Sequence, residues 1–290
     1  MAGGHAGLPA WGAAGAAAAT AAASAVGAAA MLWSAWRLPR ADRRGIRSLD
    51  GAEWLAALRG MPTLARFGLV PAISSGLEIA GFSILIALST RLGDTAAHAF
   101  QLVFACHNIS FALAIGLASA AGVRAGNAVG AGDPGAAIGR TLLAIALTLA
   151  AMAAAAAAML AGRVVLVALF PAPAAVHALA SAMLARWAPF ILFDGVQVVL
   201  VYALRSLGDQ VATGINSILA YFVVTGGVGW WLVGAGLGPA ALVWASGAGM
   251  VAAALLHGAR FGWVATRLDR PSLSRSGSAT PTTPPPRPRS

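Results

Sequence analysis

Apolar stretches running well past about 20 residues recur along nearly the whole chain, and in 290 residues only 10% are charged. Segments of that length match a helix crossing the hydrocarbon layer, whereas barrel strands would show segments of about ten residues with strict alternation. With 59% hydrophobic residues against about half in soluble domains, the chain is predicted to be an all-α, polytopic membrane protein. Seven transmembrane helices are predicted, at about 12–36, 64–90, 95–121, 138–161, 176–204, 211–234 and 239–264. A basic connection follows the first, and its end, 52–58, reads as a short interfacial helix with Trp54 at headgroup level. Beyond Thr266 the sequence is rich in Pro, Ser and Arg and is predicted to be disordered.

The net charge of +10 is topological in origin. The chain has no lysine, and its arginines cluster at the edges of apolar spans, so a nucleic-acid partner is not expected. Alternating the spans places sixteen of the nineteen arginines on one side and only Arg91, Arg163 and Arg186 on the other. The positive-inside rule makes the rich side cytoplasmic, with the C-terminus inside and Met1 outside. The expected location is the inner (plasma) membrane. Cys106, the single cysteine, lies within a span, which excludes a disulfide framework and a cysteine-rich metal site within the chain. No prosthetic cofactor is expected. A conventional signal peptide is not apparent at residues 1–9.

Two acids stand out because they sit near the middle of apolar spans: Glu78 and Asp194. The other seven acids fall in connections or tails. A carboxylate at the centre of a spanning helix costs roughly 2.5–3.5 kcal/mol on insertion scales and usually marks an ion or substrate path. Ser74 and Ser75 lie about one turn before Glu78, and Gln197 lies at i+3 from Asp194 on the same helix face. Two carboxylates on different helices can share one cation, since hard cations favour oxygen ligands. The plainer reading is a pair of carboxyls hydrogen-bonded between helices. Pro71 and Pro189 precede the two acids, each removing one helical hydrogen bond, and each is either a hinge or a static kink. His107 and Asn108, mid-span in 95–121, are candidates for cavity lining or for interhelical hydrogen bonding. Trp33, Trp36, Trp230, Trp231 and Trp263 lie near span ends, where interfacial anchoring accounts for them.

Several local sequences resemble the multidrug and toxin extrusion (MATE) family. They are residues 7–20 (GLPAWGAAGAAAAT), 71–78 with Gly81-Phe82, Arg91-Leu92-Gly93 with Ala96-Ala97-His98, 122–133 (GVRAGNAVGAGD), 193–197 (FDGVQ) and 204–209 (LRSLGD). Their order and spacing across residues 7–264 carry the resemblance. It implies a second, C-terminal lobe of six helices at 64–266, preceded by the last helix of an N-terminal lobe at 1–36 and a cytoplasmic connection at 37–63, with the tail at 267–290. The rest of the N-lobe is expected to be missing, so that a missing segment or a second chain is an expected partner. The implied activity is cation-coupled antiport, with sodium or protons driving export of drug-like, cationic small molecules, and no enzymatic reaction. Glu78 and Asp194 match the family's seventh- and tenth-helix acids, which makes a sodium site at these two residues the one metal expected. The stretch 122–135 resembles the family's glycine-rich loop between its eighth and ninth helices. A Walker cradle is excluded there, because that motif needs a lysine.

Three other readings compete. A lipid-linked saccharide flippase of the same superfamily would carry a cationic cavity for a pyrophosphate. A fragment without its partner would have no function. An intramembrane aspartyl protease is spelled by Gly130-Ala131-Gly132-Asp133, but its second aspartate usually follows a tyrosine, and here Asp194 follows Phe193.

Overall fold

The computed structural model describes residues 11–39 and 50–268 and divides into two units, Met1–Arg66 and Phe67–Ser290. The predicted disordered tail at 267–290 lies outside the described residues from residue 269 onward, as do residues 40–49 of the basic connection. In the first unit, α1 (Gly12–Trp36) is one helix whose side chains are almost all exposed, Gly15 excepted. Its run of alanines favours the helix, and its two hydroxyls, Thr20 and Ser34, donate to the carbonyls of Ala16 and Ala30 four residues back.

Helix α2 (Gly51–Arg91) begins in the first unit, and its residues from Phe67 belong to the second. The interfacial helix predicted at 52–58 is therefore not a separate element. Helix-forming residues continue on both sides of Gly60 and Pro62, and a single proline removes only one backbone bond. The side chain of Trp54 lies outside the described residues.

The second unit continues with α3 (Asp94–Gly130), α4 (Pro134–Ala168), α5 (Ala174–Trp187), α6 (Ile191–Ser206), α7 (Gln210–Ser217), α8 (Gly226–Gly234) and α9 (Ala240–Leu268). A 3-10 turn at Ala188–Phe190 joins α5 to α6, and a π-helical turn at Ile218–Thr225 joins α7 to α8. Each of those two pairs makes one continuous crossing, so six crossings among the described residues are long and apolar enough to span a membrane. The remaining predicted span, 64–90, second in chain order, lies inside α2, whose described apolar end is Ile79–Arg91. The protein is a multi-pass membrane protein.

At 37 and 35 residues, α3 and α4 are about 55 and 52 Å long, well beyond a hydrocarbon core of about 30 Å. Arg140 Nη1 near the start of α4 donates to the carbonyl of Arg124 near the end of α3 at 2.9 Å, which ties the two helices together beside their connecting turn. This changes the reading of the stretch 122–135. Most of it is helix, and the turn is only residues 131–133, made possible by Gly132 at φ +77°. Asp133 then caps α4 by accepting from the Ala136 amide at 2.9 Å, with Pro134 at the first helical position. Gly122 serves packing instead: a Cβ there would meet the Tyr202 carbonyl oxygen on α6 at 3.3 Å.

Helix α6 sits at the centre of the unit, packed on α3, α4 and α9. Water does not drive helices together within lipid, so close approach of small residues does much of that work. Gly195 on α6 shows it directly, since a Cβ there would stand 2.5 Å from Met152 Cγ and 3.0 Å from Thr148 Cγ2 on α4. The hydroxyls of Ser83, Ser89, Ser110, Thr141 and Ser246 each donate to a carbonyl three or four residues earlier, which satisfies them inside their own helices. At the arginine-rich end, Arg260 on α9 grips Asp209 with both Nε and Nη2, the latter at 3.0 Å from Oδ1, and ties the α6–α7 turn to α9.

Candidate cation site and cavity

Residues 194, 197, 198, 201, 202 and 205 fall at i, i+3, i+4, i+7, i+8 and i+11 along α6, which is one face of a helix. That face lines a cavity of about 400 Å³ together with Ile79, Phe82, Ser83 and Ile86 from α2 and a matching face of α3. The α3 face is Phe104, His107, Asn108, Phe111 and Ile115. The walls are largely aromatic and aliphatic, with polar groups at both ends of the α6 face, Asp194 and Gln197 at one and Tyr202 and Arg205 at the other.

Asp194 is 3% exposed and is the only buried carboxylate among the described residues. Its Oδ1 accepts from Gln197 Nε2 at 3.2 Å and from the Tyr221 hydroxyl at 3.3 Å. Its Oδ2 lies 3.6 Å from His107 Nε2, an ion-pair distance rather than a hydrogen bond. The His107 ring is held by Phe104, Phe111 and Trp187, with centroids at 5.9, 5.7 and 5.3 Å. Three buried polar atoms have no hydrogen-bond partner among the described residues: His107 Nδ1, Thr148 Oγ1 and Trp187 Nε1. All three gather near Asp194: the Trp187 ring lies against His107, and Thr148 abuts Gly195. Three polar side chains in this region thus each keep a buried atom that no described protein group satisfies.

The structure brings Asp194, Gln197, His107 and Asn108 to one cavity. Ser74 and Ser75 lie on the backbone of α2 about one turn before cavity-lining Ile79, and Glu78 immediately precedes it, but the side chains of all three lie outside the described residues. The two prolines differ. Pro189 sits in the 3-10 turn that separates α5 from α6, five residues before Asp194. Pro71 does not interrupt α2, which continues as helix on both sides of it. Among the described residues no three His, Cys, Asp or Glu side chains are grouped to hold a metal ion. Among the described side chains, the oxygens available to a hard cation at the cavity are one carboxylate with amide and hydroxyl groups around it.

Sequence reasoning missed Tyr221, Tyr202 and Arg205. The helical period of α6 could have found the last two from Asp194. Tyr221 was hidden in the run ILAYFVVT, whose π register no periodicity announces.

Comparison with known proteins agrees with this architecture. The chain is 33% identical over 207 residues to the "Probable multidrug resistance protein NorM" of Xanthomonas axonopodis pv. citri, covering 71% of this chain and 42% of that one. It is 31% identical over 190 residues to the "Multidrug resistance protein NorM" of Burkholderia vietnamiensis, covering 63% and 41%. The chain thus spans less than half the length of these relatives. Its fold is similar to the crystal structure of the eukaryotic MATE transporter AtDTX14, with TM-score 0.66 at 22% identity over 73% of this chain and 49% of that one. It is likewise similar to the inward-facing conformation of a multidrug resistance MATE family transporter of the MOP superfamily, with TM-score 0.65 at 16% identity over 73% and 49%. The MatE family model itself matches residues 71–231, more than half of the sequence and the whole of the cavity-forming face, and by that match the chain belongs to the MatE family.

Proposed function

We propose that this chain is the cation-binding lobe of a multidrug antiporter, in which sodium ions or protons moving inward drive the export of drug-like cations. The observation that carries this reading is Asp194, a buried carboxylate opening on an aromatic-walled cavity of about 400 Å³. A cation entering that cavity gains a carboxylate in a medium of low dielectric and the faces of Phe82, Phe104 and Phe111. The coupling ion and the exported compound compete for the same acid, so binding of one releases the other. Glu78 supplies the second carboxylate from α2. Pro189 is the hinge about which α5 and α6 bend.

The lobe works with a second lobe, supplied by further sequence or by another chain, as its coverage of under half of the relatives' length supports. Their shared name, multidrug resistance protein, supports the choice of substrates. The membrane is the inner (plasma) membrane, with the ends bearing Arg124, Arg140, Arg205, Arg260 and Arg267 in the cytoplasm. A flippase for lipid-linked saccharides fits less well, because the fully buried charge in the cavity is acidic.

The test is ethidium efflux from efflux-deficient bacteria expressing this chain together with its second lobe, measured with and without a sodium gradient and with a protonophore. Asp194→Asn and Glu78→Gln are each expected to abolish gradient-dependent efflux. Gradient-dependent efflux that persists unchanged in both variants overturns the assignment of the acids.

A further inference from the structure

The π-turn at Ile218–Thr225 places one side chain where a regular helix would not. In this turn the Gly226 amide donates to the carbonyl of Tyr221, five residues earlier, and the Thr225 hydroxyl reaches back five residues to the Ala220 carbonyl. Such turns are rare and occur frequently at functional sites. Tyr221 is fully buried and touches two acid-bearing helices at once. Its hydroxyl donates to Asp194 Oδ1 on α6 at 3.3 Å. Its backbone lies on α2 at Gly81, three residues after Glu78, so closely that a Cβ on Gly81 would collide with the Tyr221 carbonyl oxygen. Its ring packs on Phe82, with centroids 5.6 Å apart, and Phe82 lines the cavity.

We propose that Tyr221 is a positioning residue for cation binding: the π-turn holds it between α2 and α6, and its hydroxyl fixes the orientation in which the Asp194 carboxylate faces the cavity. The inference rests on the proposed role of Asp194. With Gln197 and Tyr221 both donating to Oδ1, Oδ2 is the oxygen left toward His107 and the cavity. Without the phenol, Oδ1 keeps one donor on its own helix and the carboxylate is free to rotate. The α7–α8 crossing contributes no acid of its own, yet through Tyr221 it senses whether Asp194 is occupied.

The chain has two tyrosines, Tyr202 and Tyr221, so 3-fluorotyrosine labelling in lipid nanodiscs gives two fluorine resonances, which Tyr202→Phe assigns. The Tyr221 resonance is expected to move in Asp194→Asn before any ligand is added, and to move in the wild-type chain on titration with ethidium. Ethidium affinity is expected to fall roughly three- to tenfold in Tyr221→Phe with an unchanged melting temperature, and to be lost in Asp194→Asn. A merely structural tyrosine would lower the melting temperature and leave affinity alone. Wild-type affinity in Tyr221→Phe, with loss in Asp194→Asn, overturns the positioning role and leaves the proposed function standing. Wild-type affinity in both overturns the acid site and Tyr221 with it. Should Tyr221→Phe fail to fold, the resonance decides: a Tyr221 signal indifferent to Asp194→Asn overturns the proposal.

Discussion

A single residue governs how tightly α6 can seat on α4. Gly195 immediately follows Asp194, and any Cβ there meets Met152 Cγ at 2.5 Å. Gly195→Ala is expected to destabilise the chain by roughly 1–3 kcal/mol, the usual cost of overpacking, read as a lower melting temperature in detergent. On α2, Gly81→Ala is expected to act differently: its Cβ presses on the Tyr221 backbone, so ethidium affinity falls along with stability. At this scale the sequence was informative about charge and silent about contact. Asp194 and Gln197 were legible because a carboxylate in an apolar run is costly and because i+3 neighbours share a face. Their bond is present at 3.2 Å. The partner contributed from another helix, Tyr221, lies 27 residues along the chain, and no local rule links the two.

Among the elements, the two prolines make opposite forecasts. Pro189 occupies a 3-10 turn between α5 and α6, so Pro189→Ala restores an amide and permits a more continuous helix. Slower ethidium efflux with retained ethidium binding is the expected result, measured in the same cells and on the same purified chain. Pro71→Ala, in a helix that already runs through it, is expected to change neither. Efflux slowed equally by both substitutions would remove the hinge role from Pro189. Sequence alone gave both prolines the same meaning, since each removes one hydrogen bond upstream of an acid. What separates them is tertiary: the α5–α6 crossing is packed on both sides of its break, with Trp187, Ala188 and Ile191 all buried. The glycine-rich stretch was misread for a related reason. Glycine announces a turn and a close helix contact in the same letter, and only Gly132 makes the turn while Gly122 makes the contact.

For the whole molecule, the expected orientation can be measured directly because Cys106 is the only cysteine and is buried. In a Cys106→Ala background, Ala131→Cys in the α3–α4 turn is expected to stay unlabelled by an impermeant maleimide added to intact cells. Leu237→Cys in the turn before α9 is expected to label. The reverse pattern would invert the topology. Multiplicity of crossings was legible from length and apolarity, and the imbalance of arginines from counting. The full lengths of α3 and α4 were not, because a helix can continue in alanine and glycine beyond its apolar run without a signal at the boundary. The self-satisfied hydroxyls of the spans set how the chain tolerates substitution. Ser83, Ser89, Ser110, Thr141 and Ser246 each bond within their own helix, so exchanging them for alanine or valine removes a donor together with a bond that left its carbonyl already paired. A saturation scan read by ethidium resistance should therefore be quiet at most polar positions inside the membrane and loud at Glu78, Asp194, Gln197, His107 and Tyr221, a map of function far sparser than the map of polarity.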